Sequence, residues 1–167
     1  MSCKNYHFYI LTGGIKTGKS TSIYHWAETL ESVGGIVQIQ KDEKRYIIDA
    51  ASKEKKELTQ NRPENSLSVG KYYFSKDTIQ WGKEVLSQAV NTKVEWLIFD
   101  EYGIGEFDNK CFEPDVSNLF IEIIQNNLPI KCVIVVREKL LQQFISGFGD
   151  ALQPSVVRSI EEIQLKN

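Results

Sequence analysis

The segment that most constrains this chain is Gly13-Gly14-Ile15-Lys16-Thr17-Gly18-Lys19-Ser20. Its spacing is G-x-x-x-x-G-K-[ST], a loop that requires a buried strand running into it and a helix leaving it. Both are present. His7 to Thr12 (HFYILT) is an apolar run of buried-strand length. From Gly18 onward, Ile23, Trp26, Ala27 and Leu30 recur every three or four residues, the period of an amphipathic helix, and Gly34-Gly35 reads as its end. Each fixed residue has a physical reason. Gly13 and Gly18 let the backbone take positive φ and turn its N–H groups inward around an anion. The helix start adds unpaired N–H groups and a positive dipole end. Lys19 is placed to reach the β- and γ-phosphate oxygens of a nucleoside triphosphate, and Ser20 offers a hydroxyl to Mg²⁺. The expected phosphate-binding segment therefore runs from Gly13 through Gly14, Ile15, Lys16, Thr17, Gly18, Lys19 and Ser20 to Thr21.

A strand–loop–helix beginning predicts further alternation, and the remaining sequence supplies it. Ile36 to Gln40 and Tyr46 to Ile48 read as a hairpin across a polar turn at Lys41 to Lys44. Residues 50–67 are polar and lysine-rich, the pattern of a solvated loop or edge strand. Ser68 to Phe74 reads as a strand, and Thr78 to Asn91 as an amphipathic helix capped by Asp77 or Thr78. Val94 to Phe99 is a buried strand leading into Asp100-Glu101. Pro114 to Asn126 reads as a helix with proline in its first turn. Cys132 to Val136 is apolar and mostly β-branched, hence a central strand. Glu138 to Phe148 reads as a helix closed by Gly149, and Ile160, Ile163 and Leu165 suggest an edge strand. Strands that are apolar throughout need cover on both faces. The expected fold is α/β: a mostly parallel central sheet with helices on both faces and an antiparallel hairpin.

Length and charge then narrow the partners. A chain of 167 residues without an internal repeat or a Pro/Gly-rich linker suits one domain over residues 1–167. Its 20 Lys and Arg against 22 Asp and Glu leave a net charge of -2, which argues against nucleic acid, a polyanion that demands many basic contacts. One triphosphate is a smaller demand, met by backbone N–H groups, a lysine and Mg²⁺. Cys3, Cys111, Cys132, His7 and His25 show no metal-site spacing, as expected of a reduced, cytoplasmic protein. Apolar runs of about half a dozen residues, against roughly 20 for a membrane span, predict no membrane partner.

A phosphate loop of this kind works with an acidic residue at the end of a buried strand, which steadies the metal's water shell. Trp96 to Phe99 followed by Asp100 and Glu101 (WLIFDE) fits that part. Asp100 is the expected metal-shell carboxylate, beside Ser20 as metal ligand. Glu101 is placed to orient or deprotonate an attacking water. Arg45, Arg62, Arg137 and Arg158 do not cluster into a basic lid, so hydrolysis ranks above transfer to a small molecule. Arg137 directly follows the strand at Cys132 to Val136. It either neutralises charge developing on the γ-phosphate or makes an ordinary salt bridge at a helix start. Two other readings stay open: a nucleotide-dependent switch or binding module acting on a protein or nucleic acid, and a small nucleoside or nucleotide kinase. Tyr72, Tyr73 and Tyr102 offer rings for stacking on a base or for packing.

These segments in order resemble the THEP-type nucleoside-triphosphatases, a family of small P-loop NTPases. The resemblance covers about residues 7 to 145. Beyond the phosphate loop it rests on KRYIID at 44–49, SVGKYYF at 68–74 and, most specifically, DEYGIGEF at 100–107, where Asp100, Glu101, Gly103 and Glu106 hold the fixed positions. It implies a RecA-like α/β domain and Mg²⁺-dependent hydrolysis of ATP, GTP and other NTPs to the diphosphate, with weak base selectivity. Carried over by position, Lys19 and Ser20 bind phosphate and metal, Asp100 supports the metal, and Glu101 is the base; Glu106 matches the motif without an assigned role. The chain departs from the family pattern in carrying Ile15-Lys16 where proline and glycine are more usual, and Ser20 where threonine is common.

Overall fold

The computed structural model describes residues 3–13 and 18–167. In chain order the elements are β1 (His7–Leu11), α1 (Lys19–Glu28), β2 (Val33–Lys41), β3 (Lys44–Asp49), β4 (Lys55–Glu57), β5 (Thr59–Gln60), β6 (Ser66–Val69) and β7 (Tyr72–Ser75). They continue with α2 (Lys76–Asn91), β8 (Trp96–Tyr102), α3 (Ile104–Phe107), α4 (Asp115–Gln125), β9 (Lys131–Val136), α5 (Leu141–Leu152), β10 (Ser155–Val157) and α6 (Ile160–Leu165). One sheet has the order β10-β1-β9-β8-β2-β3-β4, and a small antiparallel sheet has the order β5-β7-β6. The pairings from β10 across to β2 are parallel, and β3 and β4 add antiparallel strands.

The alternation of side chains along each strand explains why the central strands are apolar at nearly every position. In β1, Phe8 and Ile10 enter one core while Tyr9 and Leu11 enter the other. In β8, Leu97 and Phe99 divide from Trp96 and Ile98 in the same way; in β9, Cys132, Ile134 and Val136 divide from Val133 and Val135. Helices α2, α4 and α5 cover the first face, contributing Leu86, Phe120 and Phe144. Helices α1 and α6 cover the second with Ile23, Trp26 and Ile163. The expected α/β layering is present, and β2–β3 is the expected hairpin.

Several boundaries differ from the sequence expectation. Helix α1 ends at Thr29, and Gly34-Gly35 lie inside β2. Close approach explains them: a Cβ on Gly34 would come within 2.5 Å of Ala89 Cβ on α2, and one on Gly35, at φ +101°, within 2.0 Å of the Ile98 carbonyl oxygen. The glycines let β2 press against α2 and β8. The segment expected as one strand at 68–74 is a hairpin, β6–β7, turning at Gly70 with φ 58°. Ser75 caps α2, its side chain accepting from the Thr78 N–H, in place of Asp77 or Thr78. Pro114 sits at the cap of α4. Gly149 does not close α5, which runs to Leu152 and ends on Gln153 at φ 47°. The apolar residues expected as an edge strand form α6, and the edge strand is β10, just before it. Within 50–67, β4 is an edge strand of the main sheet.

Strand order positions the site. Because β9 lies between β1 and β8 and all three run parallel, the loop after β1 opens at the same edge as the carboxyl ends of β9 and β8. That edge is where open α/β sheets place their ligands.

Candidate active site

Four of the expected phosphate-binding residues, Gly14, Ile15, Lys16 and Thr17, lie outside the described residues. The flanks of the loop are defined. Gly18 precedes α1 at φ 76°, a left-handed conformation that favours glycine, with no atom of the described residues within 4 Å of where a Cβ would stand. Conformation rather than space selects glycine there. On the other flank, the Gly13 carbonyl accepts from Lys19 Nζ at 3.4 Å and from the Glu138 N–H at 3.4 Å, joining the loop to the turn that follows β9. The Thr12 N–H donates to the Val157 carbonyl at 3.0 Å, fastening the end of β1 to β10.

A cavity of about 290 Å³ opens here, and Gly18, Lys19, Ser20, Thr21, Asp100, Glu101 and Arg137 all line it. The structure thus brings together residues that are more than a hundred positions apart in the chain. Asp100 and Glu101 belong to the end of β8 itself, one step inside the sheet from where the sequence pattern put them. The register with β9 shifts between Asp100 and Tyr102, pairing Asp100 with Val135 and Tyr102 with Val136, so Glu101 is the extra residue of a bulge. The Asp100–Glu101 peptide bond is cis.

The two adjacent acids occupy different surroundings. Asp100 is fully buried. Its Oδ2 accepts from the Gln38 N–H of β2 at 3.1 Å, while its Oδ1 is buried without a hydrogen-bond partner among the described residues. Burial pushes its pKa up to about 7, with the Ser20 hydroxyl pulling the other way and the charge of Glu101 adding to the rise. A buried carboxyl with one unanswered oxygen, facing a serine hydroxyl and close enough to Lys19 to feel its charge, is short of positive charge. A hard divalent cation would suit that donor set, with Ser20 and Asp100 the residues to hold it.

Glu101 instead lies between two guanidinium groups. Its Oε1 pairs with Nε of Arg137, and its Oε2 lies 3.8 Å from Nη1 of Arg45. The three side chains are 19%, 32% and 18% exposed respectively, so this charge cluster is largely withdrawn from water. Arg45 comes from β3, opposite Gln40, and its guanidinium lies 5.0 Å from the centroid of the Tyr72 ring. The charge pairing of Arg45 with Glu101 is the feature of this site that motif reasoning missed. Its one signal was its place in the KRYIID segment, and nothing local shows that the hairpin swings it over the end of β8. Arg158 makes a separate pair with Glu138 at 2.6 Å.

Glu106, which matched a motif position without a role, is a buried turn-former. Its Oε2 accepts from the Gly103 N–H at 2.9 Å, closing the start of α3 immediately beyond β8. Tyr102 is core: its ring meets Phe107 and Phe144 edge-on, and its hydroxyl donates to Glu113 Oε1 at 2.7 Å.

A protein-family model described as NTPase matches residues 8–158, almost the whole chain. The chain belongs to this NTPase family, in agreement with its THEP-type sequence segments. In three dimensions it is similar to THEP1 from the hyperthermophile Aquifex aeolicus, with a TM-score of 0.69 at 16% identity, over 95% of this chain and 93% of that one. At that identity the likeness speaks to the fold, a P-loop NTPase sheet of the THEP1 kind. No curated protein matches the chain. Family membership makes nucleoside-triphosphatase activity and nucleotide binding the general expectation for the cavity just described. No helix among the described residues is long and apolar enough to cross a membrane.

Proposed function

We propose that this protein hydrolyses the β–γ phosphoanhydride of ATP, GTP and other nucleoside triphosphates, in a Mg²⁺-dependent reaction. The observation that carries this reading is the pair Asp100–Glu101 at the end of β8, one acid buried with an unanswered oxygen and the next held between Arg45 and Arg137. Gly18, Lys19, Ser20 and Thr21 bind the phosphates, with Lys19 on the β- and γ-oxygens. Ser20 and Asp100 hold Mg²⁺, which when bound supplies charge neutralisation for the phosphate oxygens. Glu101 orients a water molecule behind the γ-phosphorus. As the water oxygen bonds to that phosphorus, the bond to the β–γ bridging oxygen breaks, and Glu101 accepts the water's proton. Arg137 and Arg45 transfer part of their pairing from Glu101 to the γ-phosphate oxygens as negative charge spreads over them. This frees the carboxylate for the water at the moment the substrate arrives.

Phosphate release from Mg²⁺ complexes of ATP, GTP, CTP and UTP tests the reading directly. All four are expected to be turned over, and EDTA is expected to abolish release. Lys19→Ala is expected to weaken both nucleotide binding and turnover. Tight binding of a triphosphate without measurable phosphate release would instead favour a nucleotide-dependent switch.

A further inference from the structure

A second cavity, of about 260 Å³, adjoins the phosphate site on the far side of Glu101. The two cavities share Gln38, Arg45, Glu101 and Arg137, but Lys19 and Ser20 line only the first. With phosphates held by Lys19 and Ser20 and the γ end directed at Glu101, the second cavity lies behind the position from which the γ-phosphorus is attacked. Water as sole acceptor needs no such space.

Its walls have a definite chemistry. Leu58, Phe74 and Phe112 are buried residues facing it, and Ile104, 51% exposed, stands at its rim. Arg45, Lys71, Arg137 and Lys139 bring four cationic groups to it, against the carboxyls of Glu101 and Glu106. Lys71 lies 5.3 Å from the centroid of the same Tyr72 ring that Arg45 approaches, and neither Lys71 nor Lys139 has a carboxylate partner among the described residues. Apolar walls, two lysines without a carboxylate partner and a carboxylate held by two arginines suit one kind of occupant.

We propose that this cavity is an acceptor site for a small anionic alcohol with an apolar body, to which the protein transfers the γ-phosphoryl group. The proposal rests on the triphosphate geometry argued above. Glu101 takes the proton from the alcohol, the alcohol oxygen bonds to the γ-phosphorus, and the bond to the β–γ bridging oxygen breaks. The products are a phosphate monoester, the nucleoside diphosphate and one proton. Hydrolysis is then the same reaction with water standing in the acceptor site.

The test uses the purified full chain, Mg²⁺ and γ-labelled ATP, with 4-(hydroxymethyl)benzoate, shikimate and glycerol 3-phosphate as probes. Benzyl alcohol serves as the uncharged control and benzoate as the control without a hydroxyl. Label is expected in the monoester of at least one anionic alcohol, tenfold or more above benzyl alcohol, with benzoate inhibiting the transfer. Ile104→Trp, which fills the cavity from an exposed position, is expected to cut transfer at least tenfold while leaving phosphate release from ATP alone within twofold. Lys71→Glu is expected to lower transfer to the anionic alcohols and spare hydrolysis likewise. Normal phosphate release with no labelled monoester from any probe would overturn the acceptor site and leave the hydrolase reading standing. A tenfold rise in the KM for ATP in Ile104→Trp would also overturn it, by placing the nucleoside in this cavity. Absence of phosphate release from every triphosphate would overturn the underlying hydrolase reading instead.

Discussion

Two groups of buried acids flank the end of β8, and they are built on opposite terms. Asp100 and Glu101 face the phosphate cavity, where one oxygen of Asp100 has no donor and Glu101 depends on arginines from two other parts of the chain. Tyr102 and Glu113 lie in the core behind it, and Glu106, buried like them, also lines the second cavity together with Glu101. There, Glu113 accepts from the Tyr102 hydroxyl, from Ser117 Oγ at 2.6 Å and from the Ser117 N–H at 3.3 Å, while Glu106 accepts from Gly103. Burying a polar group without a partner is costly, so a chain usually answers it internally. The rear group is answered and holds the turn. The front group is left with unmet bonding capacity where a ligand would supply it.

The largest effects should come from the front group. Glu101→Gln keeps the shape but cannot accept a proton, and general-base losses run to roughly 10²–10⁴ in rate. Turnover is expected to fall within that range while Mg²⁺–nucleotide binding, followed by calorimetry, changes less than threefold. Normal turnover would remove Glu101 from the chemistry. Arg137→Gln is expected to lower kcat by about 10²-fold with KM within about threefold, because its charge matters most where charge develops in the transition state. Arg45→Gln, more distant from Glu101, is expected to cost less. Equal losses of affinity and turnover in Arg137→Gln would make it a binding residue.

The contrast also shows what a sequence can and cannot reveal. The strand and helix that flank the expected phosphate loop were legible because their signals are local: an apolar run, then glycines and an amphipathic period at fixed spacing. The strand ending in two acids was legible for the same reason. Arg45 was not, because its contact with Glu101 depends on the β2–β3 register, which sets Arg45 opposite Gln40, and on the bulge at the end of β8. Gly34-Gly35 misled for a different reason. Glycine after an amphipathic run signals a helix stop and a close backbone approach equally well, and only the packing of β2 against α2 and β8 decides between them. Glu106 showed its motif position, but not that its carboxyl would accept from nearby backbone N–H groups, that of Gly103 at 2.9 Å among them.

Intermediate effects test the rear group. Tyr102→Phe removes one hydrogen bond to Glu113 and leaves both from Ser117, so it is expected to cost about 1–3 kcal/mol of stability. Urea titration measures that loss, and phosphate release is expected to stay within twofold. A tenfold fall in turnover in a folded Tyr102→Phe protein would show that the two groups are not separable across one residue of β8.

The smallest expected effect on turnover goes with a pH dependence of stability located in Glu106. Burial raises its pKa from 4.5 to about 7, the Gly103 N–H opposes that rise, and the charge of Glu113 adds to it. The other titratable groups facing it are Tyr102 and Cys111, both of which feel its charge in return. The sign follows from proton binding. A carboxyl with a higher pKa folded than unfolded holds more protons in the folded state, so its contribution is most favourable below pH 4.5 and is lost as pH rises through about 7. Glu106→Gln keeps an acceptor for Gly103 and removes the ionisation. Relative to wild type, the variant is therefore expected to gain thermal stability as pH rises from 4.5 to 8, by roughly ten degrees in Tm, and to show no such gain below pH 4.5. A constant difference in Tm across the whole range would mean that the bond to Gly103, and not the buried charge, sets the energetics of this position.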